Sequence, residues 1–435
     1  MRLLSALENF FWQRSKNDYH PGFIVSVLLN KPIPDDVLAE AIRLTGEDFP
    51  VLFQQIEETN NDSLPAIVPI RKTLVTEDVI KHVDDDECNH LFQNYKMKPT
   101  DDQCSWAVFV KENRLSLMAD HTLFDGMSSY NVLNSIIKYA NEGVRSTNGL
   151  IYNADAPLLP PQHPYDELET NMMGNLKATI VPFWIQYVSP LVSKVLPSQN
   201  FNFPEFDLQK HLFDEAGKLK QDNCYYSWNI PPKDLKTVLQ SCRDHNVTLS
   251  VWICTRVTEQ LLKASDSTAG NLINIQIPMN MRPYLMGVLH KSSNSIAVGN
   301  YVSVSACTAD ISKDELERWS LAQNIQEQLE KSKSDPAAGI EYIKLLKQVN
   351  VAKFLKSKYA ATTPEAAFEL SNLGVLDPSS ANDEYQLLDA QFHQPKFVSS
   401  ILCCSSISTR LGGLMVNISY PPTLDKILRP LFEEL

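Results

Sequence analysis

The chain of 435 residues is short of positive charge: 39 Lys and Arg stand against 52 Asp and Glu, and the formal net charge is −13. Nucleic-acid binding requires a basic face, because phosphate contacts supply much of the affinity. We therefore expect no nucleic-acid partner. A small anionic ligand stays compatible with this composition if a few cations are gathered locally.

Paired cysteines are also lacking. The eight cysteines are scattered, none forms a C-x-x-C pair, and several lie in apolar runs, where cysteine behaves as a small hydrophobic residue. The pattern predicts reduced thiols in a reducing, cytoplasmic compartment and no zinc or other metal site. Residues 1–14 contain no long apolar segment of the signal-peptide kind, and their apolar spacing predicts a helix instead.

Long uncharged segments are scarce as well. Residues 178–193 form a run of sixteen without a charge. A membrane-spanning helix needs about 20 apolar residues, and Pro182 and Pro190 interrupt this run. We expect a buried or substrate-lining helix here. The alternative is a bilayer-facing helix that collects apolar substrates and makes the protein peripheral to a membrane.

The composition is otherwise that of a globular protein, with 43 % hydrophobic and 21 % charged residues. This length exceeds one ordinary core and predicts two domains. Strand-like and helix-like patterns alternate in both halves, which predicts an α/β fold. The weakly patterned stretch 199–222 is the predicted crossover between an N-terminal domain, 1–198, and a C-terminal domain, 223–435.

Local patterns also predict individual elements. In the first half these are a strand at 23–29, a helix from 35, a hairpin of 106–110 and 114–119, and a helix at 127–142. In the second half they are helices at 231–246, 250–264 and 424–434, and strands at 273–277, 302–306, 397–404 and 414–418.

The most informative segment is D-H-T-L-F-D-G, residues 120–126, which follows a predicted strand and precedes a predicted helix. His121 at the strand end can face a cleft, and a neutral imidazole there can act as a general base worth about 10²–10⁴ in rate. Gly126 would allow positive φ and close approach of a ligand. About 0.02 H-x-x-x-D-G matches are expected by chance. The alternative is a core histidine beside an Asp-Gly turn.

Three further residue groups surround this motif in our interpretation. Arg282, in P-M-N-M-R-P, needs an anion if it is buried, and Asp125 is the natural candidate. Asn300, and the Ser371-Asn372 pair in S-N-L-G, each place a small polar group beside a glycine. Such groups can donate to a developing oxyanion, although ordinary turn chemistry is the alternative.

Taken in this order, the motifs resemble the CoA-dependent acyltransferase superfamily, which includes chloramphenicol acetyltransferase, the plant BAHD enzymes and peptide-synthetase condensation domains. The chain looks most like the fungal alcohol acetyltransferases, through E-N-F-F, S-W-A-V-F-V, H-T-L-F-D-G, P-M-N-M-R-P-Y-L with G-N-Y-V, and S-N-L-G. Condensation domains carry a second His where this chain has Asp120. The D-F-G-W-G signature of plant members is absent, and S-N-L-G lies near its place.

The resemblance implies two similar chloramphenicol-acetyltransferase-like domains, each a mixed sheet with helices, and an active-site tunnel between them. It implies that His121 is the general base, that Asp125 and Arg282 form a structural pair, and that Asn300 lies near the site. Ser371 and Asn372 would line the tunnel or hold the oxyanion.

The resemblance also implies an activity. An acetyl or short acyl group would pass from acetyl-CoA to the hydroxyl of an apolar alcohol, forming an ester without an acyl-enzyme or a metal. The alternatives are N-acetylation of a long-chain amine such as a sphingoid base, thioester hydrolysis, and a non-catalytic binding role. We expect a cytoplasmic monomer that could contact the endoplasmic reticulum or lipid droplets.

Overall fold

The computed structural model describes residues 1–20, 22–58, 64–168, 201, 207–263, 271–311, 317–361, 363–396 and 399–435. The uncharged run 178–193 lies outside these residues, as does part of the predicted crossover. Within the part of the chain that is described, no helix is both long and apolar enough to cross a membrane.

The described residues form strands β1 to β16, which are Arg2–Leu3, Phe23–Leu29, Gln54–Glu57, Ala66–Pro69, Leu74–Val75, Ile80–His82, Trp106–Lys111, Arg114–Ala119, Leu150–Tyr152, Cys224–Ile230, Leu272–Asn280, Val302–Asp310, Ala366–Val375, Leu387–His393, Ser400–Thr409 and Gly413–Tyr420. They also form helices α1 to α14, which are Ala6–Lys16, Asp35–Asp48, Thr76–Val79, Cys88–Asn94, Gly126–Asn141, Pro164–Glu167, Leu208–Leu212, Pro232–Asp244, Leu249–Lys263, Arg282–Leu289, Arg318–Ser334, Pro336–Lys344, Val351–Tyr359 and Asp425–Phe432.

Two large mixed sheets organise these elements. The first has the strand order β14-β2-β8-β7-β6, and the second has the order β10-β16-β15-β13-β11-β12. Strands β11, β13 and β15 run parallel in the second sheet, while its other pairs are antiparallel. Two smaller sheets, β1-β4-β3 and β5-β9, complete the described strands. The two-sheet arrangement agrees with the predicted α/β fold.

Each large sheet has its own hydrophobic core. Helices α2 and α5 pack with the first sheet, through apolar side chains such as Leu38, Ile42, Leu133 and Ile137. Helices α9 and α11 pack with the second sheet in a separate cluster. Every residue of β15 and β16 is buried, including the serines and the threonine of β15.

Strand β14 connects the two halves of the chain. It lies late in the sequence, yet it pairs antiparallel with β2, from Leu387 beside Leu29 to His393 beside Ile24. The first sheet is therefore completed by a strand from the C-terminal half. This places Phe392 of β14 close to the start of α5, where the H-T-L-F-D-G segment lies. The domain limits 1–198 and 223–435 stay a prediction.

The local predictions agree closely with the observed elements. The strand at 23–29 has the predicted bounds, and the helix predicted at 127–142 runs over Gly126–Asn141. The predicted strands at 273–277 and 302–306 are extended by several residues at one or both ends. In β12 the apolar residues change phase at Cys307, which breaks the alternation of Val302, Val304 and Ala306 and explains why periodicity ended this strand too early.

Candidate active site

His121 lies in the short turn between β8 and α5, at a strand end as predicted. Its imidazole stacks on Phe11, with ring centroids 4.1 Å apart and planes inclined by 13°, and meets the edge of Phe23 at 5.1 Å. Nδ1 lies 3.4 Å from the amide nitrogen of Asn300. The ring also hydrogen-bonds the backbone oxygens of His121 and Phe124, so one ring nitrogen carries the proton and the other can accept one.

The imidazole borders a cavity of about 640 Å³ among the described residues. This volume lies in the range of small-molecule sites. The cavity lies against the inner face of the second sheet and is mainly apolar, with walls that include Leu7, Phe10, Val302, Ile343, Leu346 and Phe392. An apolar molecule can therefore occupy the space in front of His121.

The charge state of His121 suits a general base. Burial, and next the positive charge of Arg14, lowers the pKa of this imidazole to about 4. Hydrogen bonds to backbone oxygens and the charge of Asp125 oppose this effect and do not overcome it. The ring is consequently neutral at physiological pH, which is the form that can take a proton.

Asp125 and Arg282 form the ion pair that the sequence predicts. Nη1 and Nη2 of the guanidinium each lie 2.9 Å from a different carboxylate oxygen, and both side chains are buried. The same carboxylate accepts hydrogen bonds from the backbone nitrogens of Ser128 and Tyr301, at 2.8 and 2.9 Å. Asp125 thus caps the N-terminus of α5 and its oxygens are fully occupied, so it positions the loop of His121 and does not act on substrate.

The electrostatic balance of this pair follows from its hydrogen bonds. Burial alone would raise the pKa of Asp125, but the charge of Arg282 and its hydrogen bonds, together with those from Tyr301 and Ser128, hold the pKa below its ordinary value. Arg282 also donates to the carbonyl oxygens of Ile296 and Gly299, at 2.9 and 3.0 Å. The guanidinium therefore connects α5 to the segment before β12.

The two glycines near this pair have different functions. Gly299 has φ of +153°, and an added Cβ would lie 2.2 Å from the Tyr301 ring. The predicted reason for Gly126 is wrong in part, because its φ is not positive: it is the first residue of α5. An added Cβ there would lie 2.6 Å from Leu373, so the glycine permits close approach of β13.

Asn300 supports the histidine from the backbone side. Its amide nitrogen donates to the carbonyl oxygen of His121 at 2.7 Å, and its own carbonyl oxygen lies 3.1 Å from Nε2 of His163. Asn300 is not among the residues that line the cavity. The expectation that it holds an oxyanion is therefore not supported by this arrangement, and we assign it to positioning the His121 loop.

The Ser371-Asn372 pair is divided by the alternation of β13. Ser371 faces the cavity, as predicted for a tunnel residue. Asn372 faces the other way: its amide nitrogen donates to the hydroxyl of Ser250 at 2.9 Å, and its oxygen accepts from the backbone of Gly374. Asn372 does not line the cavity, so its predicted contact with the tunnel is wrong for the side chain.

Sequence reasoning missed the four charged residues that border the cavity besides His121, and Arg14 and Glu369 are the two that bear on the site; the others are Lys358 and Glu365. Arg14 lies on α1, with its guanidinium carbon 5.2 Å from the Phe11 ring centroid. Glu369 lies on β13 between the core residues Phe368 and Leu370. A signal was present for each: Arg14 follows Leu7 by seven positions on the apolar helix face, and Glu369 is a lone charge within an apolar strand.

A sequence model of the alcohol acetyltransferase family matches residues 77–434, which include the H-T-L-F-D-G motif and the ion pair. The chain belongs to the alcohol acetyltransferase family. Membership identifies it as an acetyltransferase of this group. The site described above lies within the matched residues, apart from the contributions of α1 and β2.

This alcohol acetyltransferase family member is similar to individual proteins over nearly its whole length, both in sequence and in structure. The N-acetyltransferase SLI1 of Saccharomyces cerevisiae is 26 % identical, over 98 % of this chain and 97 % of its own. Trichothecene 15-O-acetyltransferase TRI3 of Fusarium sporotrichioides has a TM-score of 0.68 at 12 % identity, over 99 % of this chain and 93 % of its own. The condensation domain of the polyketide synthase MokA has a TM-score of 0.69 at 12 % identity, over 100 % of this chain and 95 % of its own.

Proposed function

We propose that this family member transfers an acetyl group from acetyl-CoA to the hydroxyl or amino group of an apolar acceptor, with His121 as general base. The observation that carries the proposal is the exposure of a neutral imidazole to a large, mainly apolar cavity. The ring is fixed by Phe11 and by the loop that Asp125 and Arg282 hold. Such a fixed base needs little reorganisation when the acceptor arrives.

The reaction follows directly from this arrangement. The acceptor hydroxyl binds against the unprotonated ring nitrogen of His121 and gives up its proton as its oxygen attacks the thioester carbonyl carbon. The carbonyl electron pair moves onto oxygen, and the hydroxyl of Ser371, which borders the cavity, can donate a hydrogen bond to it. The C–S bond then breaks, and the imidazolium returns the proton to the CoA thiolate. No covalent acyl-enzyme forms in this sequence of steps.

The acceptor has two candidate classes. The family description favours an alcohol, as does the likeness of the motifs to fungal alcohol acetyltransferases. An amine is favoured by the name of the yeast relative and by the carboxylate of Glu369, which faces the cavity and can attract a cation. In either case the apolar walls suit an acceptor with a long hydrocarbon part.

The test is release of the CoA thiol from acetyl-CoA by the full chain. It is measured with a medium-chain alcohol, a sterol, a long-chain amine or no acceptor. Release that requires an acceptor supports the transferase and names the acceptor class. Equal release with and without acceptor would contradict it and indicate thioester hydrolysis. A matched reaction with heat-denatured protein corrects for spontaneous hydrolysis of the thioester.

A further inference from the structure

Glu369 occupies the middle of the second sheet. In β13 it pairs in register with Gln276 on β11 and with Cys403 on β15, so strands flank it on both sides. Its neighbours in sequence point into the core around α9, and Glu369 points the other way, into the same cavity that His121 borders. A carboxylate on an interior strand, facing an apolar space, is costly unless a cation compensates it.

The surroundings of Glu369 leave its carboxylate without a hydrogen-bond donor. Among the described residues no side chain or backbone group hydrogen-bonds it, although the positive charge of Arg14 on α1 acts on it. The thiol of Cys403 lies beside it on β15, in register with Glu369, and burial and next this carboxylate raise its pKa, so it stays neutral. The neighbouring Cys404 points into the core on the other side of the sheet. Because Glu369 borders the cavity, a further cation can approach its carboxylate from the cavity side.

The remaining charged groups of the cavity are accounted for. His121 is neutral, and Glu365 forms an ion pair with Lys358 at 2.8 Å, with the carboxylate side chain about half exposed. Burial raises the pKa of Glu369 to about 7, against the opposing charge of Arg14. A carboxyl group with this pKa can take up and release a proton near neutral pH, whereas an exposed glutamate is ionised throughout this range.

We propose that Glu369 binds the ammonium group of a primary amine on an apolar chain and accepts its first proton, which makes a cationic amphiphile the acceptor of this site. The proposal rests on the proposed function and specifies its acceptor. An alkylamine with a pKa near that of lysine, about 10.4, is protonated at neutral pH. It then has no electron pair with which to attack, and a histidine with a pKa of about 4 is too weak to remove this proton.

The proton transfers balance as follows. The ammonium N–H bond breaks, the proton joins a Glu369 oxygen, and the amine regains its electron pair. Desolvation in the apolar cavity favours this step, because it lowers the pKa of an amine and raises that of a carboxyl. The nitrogen attacks the thioester carbon, His121 takes the second proton from nitrogen, and the C–S bond breaks as the thiolate receives that proton. Glu369 returns the first proton to solvent.

The experiment compares decylamine with decanol, because the two share one chain and differ in the reacting group. Acetyl transfer from acetyl-CoA is measured at pH 7 for the wild type, Glu369→Gln and the control Glu365→Gln. The control removes a carboxylate that is already paired at the edge of the cavity. We expect Glu369→Gln to reduce the decylamine rate at least ~10²-fold more than the decanol rate, and Glu365→Gln to show no such difference between the two acceptors.

A pH series separates a chemical role from a structural one. In Glu369→Gln the decylamine rate should rise about tenfold per pH unit toward the amine pKa, because only the uncharged amine can then react. A damaged fold would show no such recovery. Equal losses with both acceptors, or wild-type activity with decanol and none with decylamine, would overturn the inference and leave the proposed function standing. A wild-type protein that is inactive with both acceptors would overturn the inference and the proposed function together.

Discussion

Asp125 and Arg282 are 157 residues apart in sequence and meet through two hydrogen bonds of 2.9 Å, buried between α5 and α10. A bidentate pair of this kind has a defined geometry, so it fixes where α5 begins. His121 lies five residues before that start. The pair thus positions His121 indirectly, through the loop before α5, and neither member of the pair lines the cavity.

Removing one partner of this pair should be strongly destabilising. Asp125→Asn or Arg282→Met leaves the other charge buried without compensation, and we expect a loss of about 3–5 kcal/mol in the free energy of unfolding. Urea denaturation followed by tryptophan fluorescence measures it. Lys31→Met is the matched control, because it breaks an exposed pair with Glu384 that should contribute at most about 1 kcal/mol. Similar losses in all three variants would contradict the assignment.

Gly299 should not tolerate a side chain. A methyl group would meet the Tyr301 ring at 2.2 Å, and φ of +153° is strained for any other residue. We expect Gly299→Ala to lower the midpoint of thermal unfolding and the rate of acetyl transfer together, since this segment holds Arg282. Gly287→Ala is the control, because nothing lies within 4 Å of an added Cβ in α10. A stable, fully active Gly299→Ala would refute this account.

Arg14 should set the acid limit of activity. Its charge is the second cause, after burial, of the low pKa of His121. Arg14→Met removes that charge, so the pKa should rise from about 4 toward the ordinary value, which is about 6.5. Because the neutral ring is the active form, activity with an alcohol should then be lost at a higher pH than in the wild type.

The measurement for Arg14 is the pH profile of kcat/KM with decanol, whose hydroxyl does not titrate in this range. Lys16→Met is the control, because it removes the same charge from the exposed side of α1, where Lys16 pairs with Glu58. An acidic limb that stays in place in Arg14→Met, or that moves equally in both variants, would show that Arg14 does not act on His121.

Much of the fold could be predicted from the sequence because its signals are local. The apolar run of Phe23–Leu29 and the apolar spacing of α5 depend only on neighbouring residues. The ion pair was also predictable, because a cation beside a buried strand requires an anion. Strand β14 could not be placed, since its pairing with β2 depends on contacts between residues more than 300 positions apart.

The missed site residues have a similar explanation. Glu369 and Arg14 belong to the cavity only because β13 and α1 border it, and no spacing in the sequence encodes that proximity. Asn372 was expected at the cavity together with Ser371, but adjacent residues of a strand face opposite sides. Glu369 lies two residues before Ser371, so both face the same side of β13. The bounds of the strand are therefore enough to place Glu369 at the cavity beside Ser371.

The central claim is that His121 is the base, and the most direct measurement is kcat/KM for transfer of labelled acetyl from acetyl-CoA into the acceptor that the wild type uses. His121→Ala is compared with Ser129→Ala, a buried serine of α5 that does not line the cavity. The account predicts a loss of at least ~10²-fold in His121→Ala, with an unfolding midpoint like that of the wild type. Wild-type transfer in His121→Ala would contradict it.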